Sequence, residues 1–180
     1  ALITASGLAA ITTSLLAFLS SGDHALIPDS LYSSARQFVS KELVRFGVDV
    51  EFYEPTIGAG IAALMKPNTK VVYCESPGSL TFEMQDIPAI AKVAHAAGAV
   101  VIADNTWATP LLQKPFALGV DVSIHSATKY IGGHSDLVMG AILCKATHYA
   151  QLNRTHRNLG ACASGDNAYL ALRGLRTIAV

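Results

Sequence analysis

The run Val122-Ser123-Ile124-His125-Ser126-Ala127-Thr128-Lys129-Tyr130-Ile131-Gly132-Gly133-His134 leaves an apolar-alternating strand and enters a turn rich in hydroxyls and glycine. A lysine held there between two short donors is expected to be partly desolvated. Its amine then holds its proton less tightly and can attack a carbonyl carbon. A lone lysine is ordinarily a solvated surface charge, so the neighbouring strand ends must supply the rest. Asp104 closes the apolar run Ala99 to Ala103 and is followed by Asn105, Thr106 and Trp107. A carboxylate just beyond a buried strand is costly unless it meets a cation, although an isolated aspartate there also reads as a cap on its own turn. Ser126 and Thr128 place two hydroxyls on one side of Lys129. Ser6, Gly7 and Leu8 open an apolar helical stretch, where unpaired amides and the helix dipole attract an anion and Gly7 lets it approach. Tyr32 follows a short strand at the start of a second helix, where its ring could cover a flat ligand.

The elements that must position these residues alternate. Helical spacing runs over Ser6 to Leu19, Leu31 to Phe46, Ile87 to Ala97, His148 to Leu159 and Asn167 to Ile178, with a short helix over Ile61 to Met65 cut by Pro67. Strand-like runs cover His24 to Pro28, Val48 to Tyr53, Lys70 to Cys74, Ala99 to Ala103, Val120 to Ile124 and Gly140 to Cys144. Short apolar strands alternating with helices predict an α/β fold, a mostly parallel sheet with helices on both faces. In such sheets ligands bind beyond the carboxyl ends of the strands.

The 180 residues fit one domain. Their 13 basic and 13 acidic side chains cancel, so nothing marks a nucleic-acid or anionic-membrane partner. Hydrophobic residues make up 51% and charged ones only 14%, which predicts a surface partly covered by other protein. No apolar stretch reaches membrane length, and the opening residues do not read as a signal peptide. Cys74, Cys144 and Cys162, without CxxC spacing, read as reduced thiols of a cytoplasmic chain. The six histidines show no metal-ligand spacing. The chain opens and closes inside apolar patterns read as helical, which predicts a piece of a longer polypeptide.

Taken together, the strand-end groups supply an amine for an imine, a carboxylate for a ring nitrogen, hydroxyls and helix amides for a phosphate, and an aromatic face. Pyridoxal 5'-phosphate is the cofactor that needs all of these. The stretches SGLAAI, DSLY, ESPGS, ADNTWATP and SATKYIGGHSD also resemble the pyridoxal-phosphate enzymes of cysteine and methionine metabolism. That resemblance spans essentially the whole chain and implies the large domain of the aspartate aminotransferase fold. It implies that Lys129 forms the Schiff base and Asp104 pairs with the pyridine nitrogen. Ser6, Gly7, Leu8, Ser126 and Thr128 would hold the phosphate, Thr106 would belong to the cofactor site and Tyr32 would stack on the ring. It further implies that Lys129 removes the Cα proton of a sulfur-containing amino acid and that Lys129 or Tyr32 protonates the departing sulfur.

Within the family, Gly78-Ser79 after ESP and Trp107 after DNT resemble the bacterial cystathionine β-lyases. The γ-eliminating or γ-replacing relatives usually carry Asn-Pro and Phe there. Ser79 and Trp107 are therefore candidate substrate contacts. The resemblance also implies a homotetramer, with an N-terminal arm from a neighbouring subunit and a carboxylate-binding arginine from a C-terminal domain, both outside this sequence. Two rival readings are a silent scaffold and a nicotinamide-binding domain. The second rests on Gly58-Ala59-Gly60-Ile61-Ala62-Ala63 with Glu75 at the end of the next strand, but four residues separate the strand from the first glycine and Pro67 truncates the helix. His125 reads as a core residue, His134 as a candidate substrate or subunit contact, and Arg173 and Arg176 as surface charges.

Overall fold

The structure is a computed structural model that describes all 180 residues. In chain order the elements are β1 (Leu2–Thr4), α1 (Gly7–Phe18), β2 (His24–Pro28), α2 (Ser33–Gln37), β3 (Asp49–Tyr53), β4 (Thr69–Glu75), α3 (Ile87–Ala96), β5 (Val100–Asp104), α4 (Thr109–Leu112), β6 (Val122–Ser126), β7 (Gly140–Cys144), α5 (Ala146–Asn158) and α6 (Gly165–Leu175). The strands form one seven-stranded sheet in the order β1-β7-β6-β5-β4-β2-β3. β2 to β6 run parallel, and β7 lies antiparallel to both β6 and β1. The expected α/β class holds.

Alternation along the strands feeds two cores. Ile27, Tyr73, Ile102 and Ile124 point to one face and pack with Leu15 of α1, Ala35 of α2 and Leu152 of α5. Leu26, Val72 and Val101 point to the other and meet Ile87, Ile90 and Ala94 of α3. Strands covered on both faces need continuous apolar sequence, and all five residues of β2 are buried. Ser6 caps α1, its Oγ accepting the Ala9 N–H at 3.1 Å, and Asp86 caps α3 in the same way through Ala89.

Several boundaries depart from expectation. The first residues form strand β1 rather than helix, because Leu2 to Thr4 pair with the sequence-distant Gly140 to Ile142. The helix expected over Leu31 to Phe46 is α2 continued by a π-helical turn at Phe38–Leu43. The glycine-rich stretch forms a 3₁₀ segment at Gly58–Leu64 instead of opening an α-helix. α4 and a 3₁₀ turn at Pro115–Leu118 had no sequence signal long enough to register.

The end of the sheet opposite the strand C-termini is tied by Asp121. Its carboxylate accepts the Val101 N–H at 2.9 Å and Lys145 Nζ at 2.7 Å, and meets His95 Nε2 at 2.8 Å. These donors outweigh burial and hold its pKa below the usual aspartate value. A carboxyl whose folded pKa is depressed contributes stability above its unfolded pKa and loses it as pH falls through the folded value. Asp121→Ala should destabilise the protein by about 2–3 kcal/mol, since it orphans the Val101 amide and the Lys145 contact. Urea unfolding at neutral pH should show that loss, and the gap to the parent protein should narrow below the ordinary aspartate pKa.

Candidate active site

The C-terminal residues of three adjacent strands, Glu75 of β4, Asp104 of β5 and Ser126 of β6, converge with the N-terminus of α1 on a cavity of about 470 Å³. That volume lies in the range of small-molecule sites. Its wall contains every expected site residue: Ser6, Gly7, Leu8, Tyr32, Ser79, Asp104, Thr106, Trp107, Ser126, Thr128 and Lys129. None of Gly58 to Ala63 reaches it, which removes the structural basis of the nicotinamide reading.

The α1 end is built for an anion. Ser6 Oγ takes the Ala9 amide and Ser6 C=O takes that of Ala10, which leaves the Gly7 and Leu8 amides at the helix start without intrahelical acceptors. A Cβ on Gly7 would lie 2.6 Å from both Cβ and Oγ of Ser126. Only glycine lets the helix start sit this close to the end of β6. Gly7→Ala should weaken pyridoxal-phosphate affinity by roughly 10- to 100-fold, the worth of one or two hydrogen bonds to a charged group. Titration of the ligand-free protein with the cofactor, followed by absorbance, measures this.

Asp104 is buried, and its Oδ1 accepts the Thr106 N–H at 2.9 Å, so the self-capping turn does form. Burial raises its pKa, opposed by the Thr106 hydroxyl and amide. The same Thr106 hydroxyl accepts the Ser126 N–H at 2.8 Å, tying the two strand ends together. No basic side chain pairs with Asp104. A buried carboxyl without a cation is an unusual feature for structure alone and fits a protonated ring nitrogen.

Two expectations need correction. Lys129 is exposed at the cavity mouth rather than partly desolvated. The turn that carries it, closed by Lys129 N–H to Ser126 C=O at 3.0 Å and Gly132 N–H to Ala127 C=O at 2.7 Å, sends Ala127 into the core and Lys129 outward. Its amine makes no ion pair or hydrogen bond within the chain. The Thr128 hydroxyl is not a spare donor either. It gives its proton to Met139 C=O at 3.3 Å and accepts the Met139 N–H at 3.1 Å, leaving one lone pair toward the cavity. Ser126 Oγ makes no hydrogen bond within the chain and keeps its proton available.

Tyr32 precedes α2 as expected, its ring 42% exposed on the cavity wall. Trp107 meets Phe82 edge-to-face at 5.2 Å and Tyr130 at 5.7 Å. The Gly78 backbone packs on Ser30, where an added Cβ would come within 2.6 Å of the serine Cβ. His125 is a core residue, with Nε2 3.1 Å from Ser123 Oγ and its pKa pushed down by burial to about 4. His134 lies outside this cavity and lines an adjoining one of about 610 Å³ that shares Trp107 and Tyr130. Arg173 is an exposed partner of Asp136. The cysteines are unpaired, and no helix is long and apolar enough to cross a membrane.

Sequence reasoning gave Glu75 no role in this site. It sits in register with Asp104 across the β4–β5 pair, and its Oε2 accepts the Tyr32 N–H at 3.0 Å. Burial first, and then the Asp104 charge, push its pKa up to about 8. The signal for it was non-local, since only strand register brings the two carboxyls together. Tyr130 and Val138 also line the wall.

An open, mostly parallel α/β sheet with an amine, an unpaired buried carboxyl and a helix N-terminus around one strand-end cavity defines the class of pyridoxal-phosphate enzymes. The model of the Cys/Met metabolism PLP-dependent enzyme family matches residues 1–180, and the chain belongs to that family. It is 53% identical over 177 residues to a putative cystathionine beta-lyase of Rhizobium johnstonii, covering 98% of this chain and 45% of that protein. It is 46% identical over 178 residues to an L-alanine/L-glutamate racemase of Wolbachia pipientis, covering 99% and 44%. The crystal structure of cystathionine gamma-lyase from Lactobacillus plantarum, complexed with L-serine, superposes with a TM-score of 0.95 at 34% identity, covering 99% and 47%. The chain thus spans somewhat less than half the length of these relatives.

Proposed function

We propose that the full-length protein is a pyridoxal-phosphate-dependent C–S lyase that β-eliminates L-cystathionine to homocysteine, pyruvate and ammonia, in methionine biosynthesis. Residues 1–180 would belong to its cofactor-binding large domain. One observation carries this reading: Lys129, Asp104 and the α1 N-terminus with Ser126 face a single cavity at the strand ends. In it, Lys129 Nζ would carry the cofactor covalently, Ser6, Gly7, Leu8 and Ser126 would seat its phosphate, Thr128 would join them by turning its hydroxyl proton away from Met139 C=O, and Tyr32 would cover its ring. The bound cofactor supplies an electron sink, which Asp104 sustains by keeping the ring nitrogen protonated. Lys129 would also be the base that takes the Cα proton of the substrate. Lys129 or Tyr32 then gives a proton to the departing sulfur, and Ser79 and Trp107 border the substrate.

The choice of β-elimination is supported by the likeness to the Rhizobium protein and by the side-chain-free position at Gly78. The racemase relative favours a second reading, because racemisation begins with the same Cα proton transfer but returns a proton to the opposite face, with no bond at Cβ broken. γ-Elimination is the remaining alternative, as in the Lactobacillus enzyme. Incubating the full-length protein with L-cystathionine and separating pyruvate from 2-oxobutyrate distinguishes these, with chiral analysis of L-alanine alongside. Pyruvate as the dominant product is expected. Predominant 2-oxobutyrate or rapid alanine racemisation contradicts the assignment. A cytoplasmic homotetramer, a dimer of dimers, is part of the proposal. It accords with the exposure of Leu80, Met84, Leu112 and Tyr169.

A further inference from the structure

Glu75 has the geometry of a group that works through its neighbours. It ends β4 beside Asp104 on β5, paired residue to residue. Parallel neighbours in register bring their Cα atoms to about 5 Å. Both carboxyls are buried, both face the cavity, and neither has a cationic partner. Two such carboxyls resist ionising together. Asp104 has the Thr106 amide and hydroxyl beside it, and Glu75 has the Tyr32 amide and the Ser79 hydroxyl. The titratable groups around Glu75 are Asp104, Tyr73, whose buried hydroxyl has no partner, and Tyr32; Lys129 and Tyr130 complete the cavity wall.

The strand end that carries this carboxyl is held firmly. The Glu75 N–H donates to Gln85 Oε1 at 2.7 Å, Gln85 Nε2 donates to Tyr53 Oη at 2.9 Å, and Tyr53 Oη donates to Tyr73 C=O at 2.7 Å. From this fixed strand end, Glu75 Oε2 reaches the Tyr32 amide, so the start of α2 is fastened to β4 by a side chain rather than by the main chain.

We propose that Glu75 is a positioning residue of the cofactor site: its side-chain oxygen anchors the Tyr32 backbone, and hence the ring, beside Asp104. This rests on the cofactor site proposed above. The test uses full-length protein, stripped of cofactor and titrated with pyridoxal phosphate by absorbance. Glu75→Gln keeps an acceptor for the Tyr32 amide without adding charge, so its dissociation constant should stay within about 3-fold of the parent. Glu75→Leu removes the acceptor and should weaken binding by at least about 10-fold, comparable to losing an aromatic contact and an amide hydrogen bond. A loss beyond 3-fold in Glu75→Gln, or a smaller loss than 10-fold in folded Glu75→Leu, overturns the proposal. If Glu75→Leu does not fold, Glu75→Gln decides alone. A parent protein that binds the cofactor through a residue other than Lys129 overturns the site reading instead, so the two failures are distinguishable.

Discussion

Lys129→Ala in the full-length protein should abolish both the visible absorbance of bound pyridoxal phosphate and measurable lyase turnover, a loss of at least about 10³-fold. The size follows from two roles in one side chain. On the proposed reading one amine both holds the cofactor and takes the Cα proton, and no other amine or imidazole lines the cavity to replace it. Non-covalent affinity should fall much less, because α1, Ser126 and Asp104 remain. Spectral titration at matched protein concentration separates attachment from binding. Turnover at the parent rate is incompatible with the assignment.

Asp104→Asn should retain cofactor attachment while lowering turnover by roughly 10²- to 10³-fold, the effect of removing one partner from a buried charge pair. The same change should stabilise the ligand-free protein. Asp104 and Glu75 both hold their protons more tightly folded than unfolded, Glu75 up to about 8 against an ordinary 4.5. A carboxyl with a raised folded pKa withdraws stability as pH climbs from its unfolded to its folded value. Asparagine at this position removes that penalty, so urea unfolding of the ligand-free variant should show a gain at pH 8 that shrinks toward pH 4. A stable but slow variant is what a site residue gives, whereas a purely structural aspartate would cost stability when replaced. Unchanged pyruvate production would assign the ring nitrogen to another group.

Much of this site was legible because its residues close strands that announce themselves. Asp104 follows five apolar residues and Ser126 ends an alternating run, so both could be placed at the sheet's carboxyl edge before any coordinates. Gly7 was legible as a helix start, though its fit against Ser126 was not, since that contact joins positions 119 residues apart (126 less 7). Glu75 escaped for the same reason: its meaning lies in register with Asp104 and in the Tyr32 amide. β1 is three residues long and exists only through pairing with β7. The exposure of Lys129 and the engagement of Thr128 by Met139 depend on how one turn directs its side chains, which residue types leave open.

Borohydride reduction of the cofactor-loaded full-length protein, followed by proteolysis and mass mapping of the labelled peptide, tests the central claim most directly. The pyridoxyl group should be found on Lys129 alone, within the SATKYIGG segment. A label on any other lysine, or none on a protein that still turns over, would contradict it.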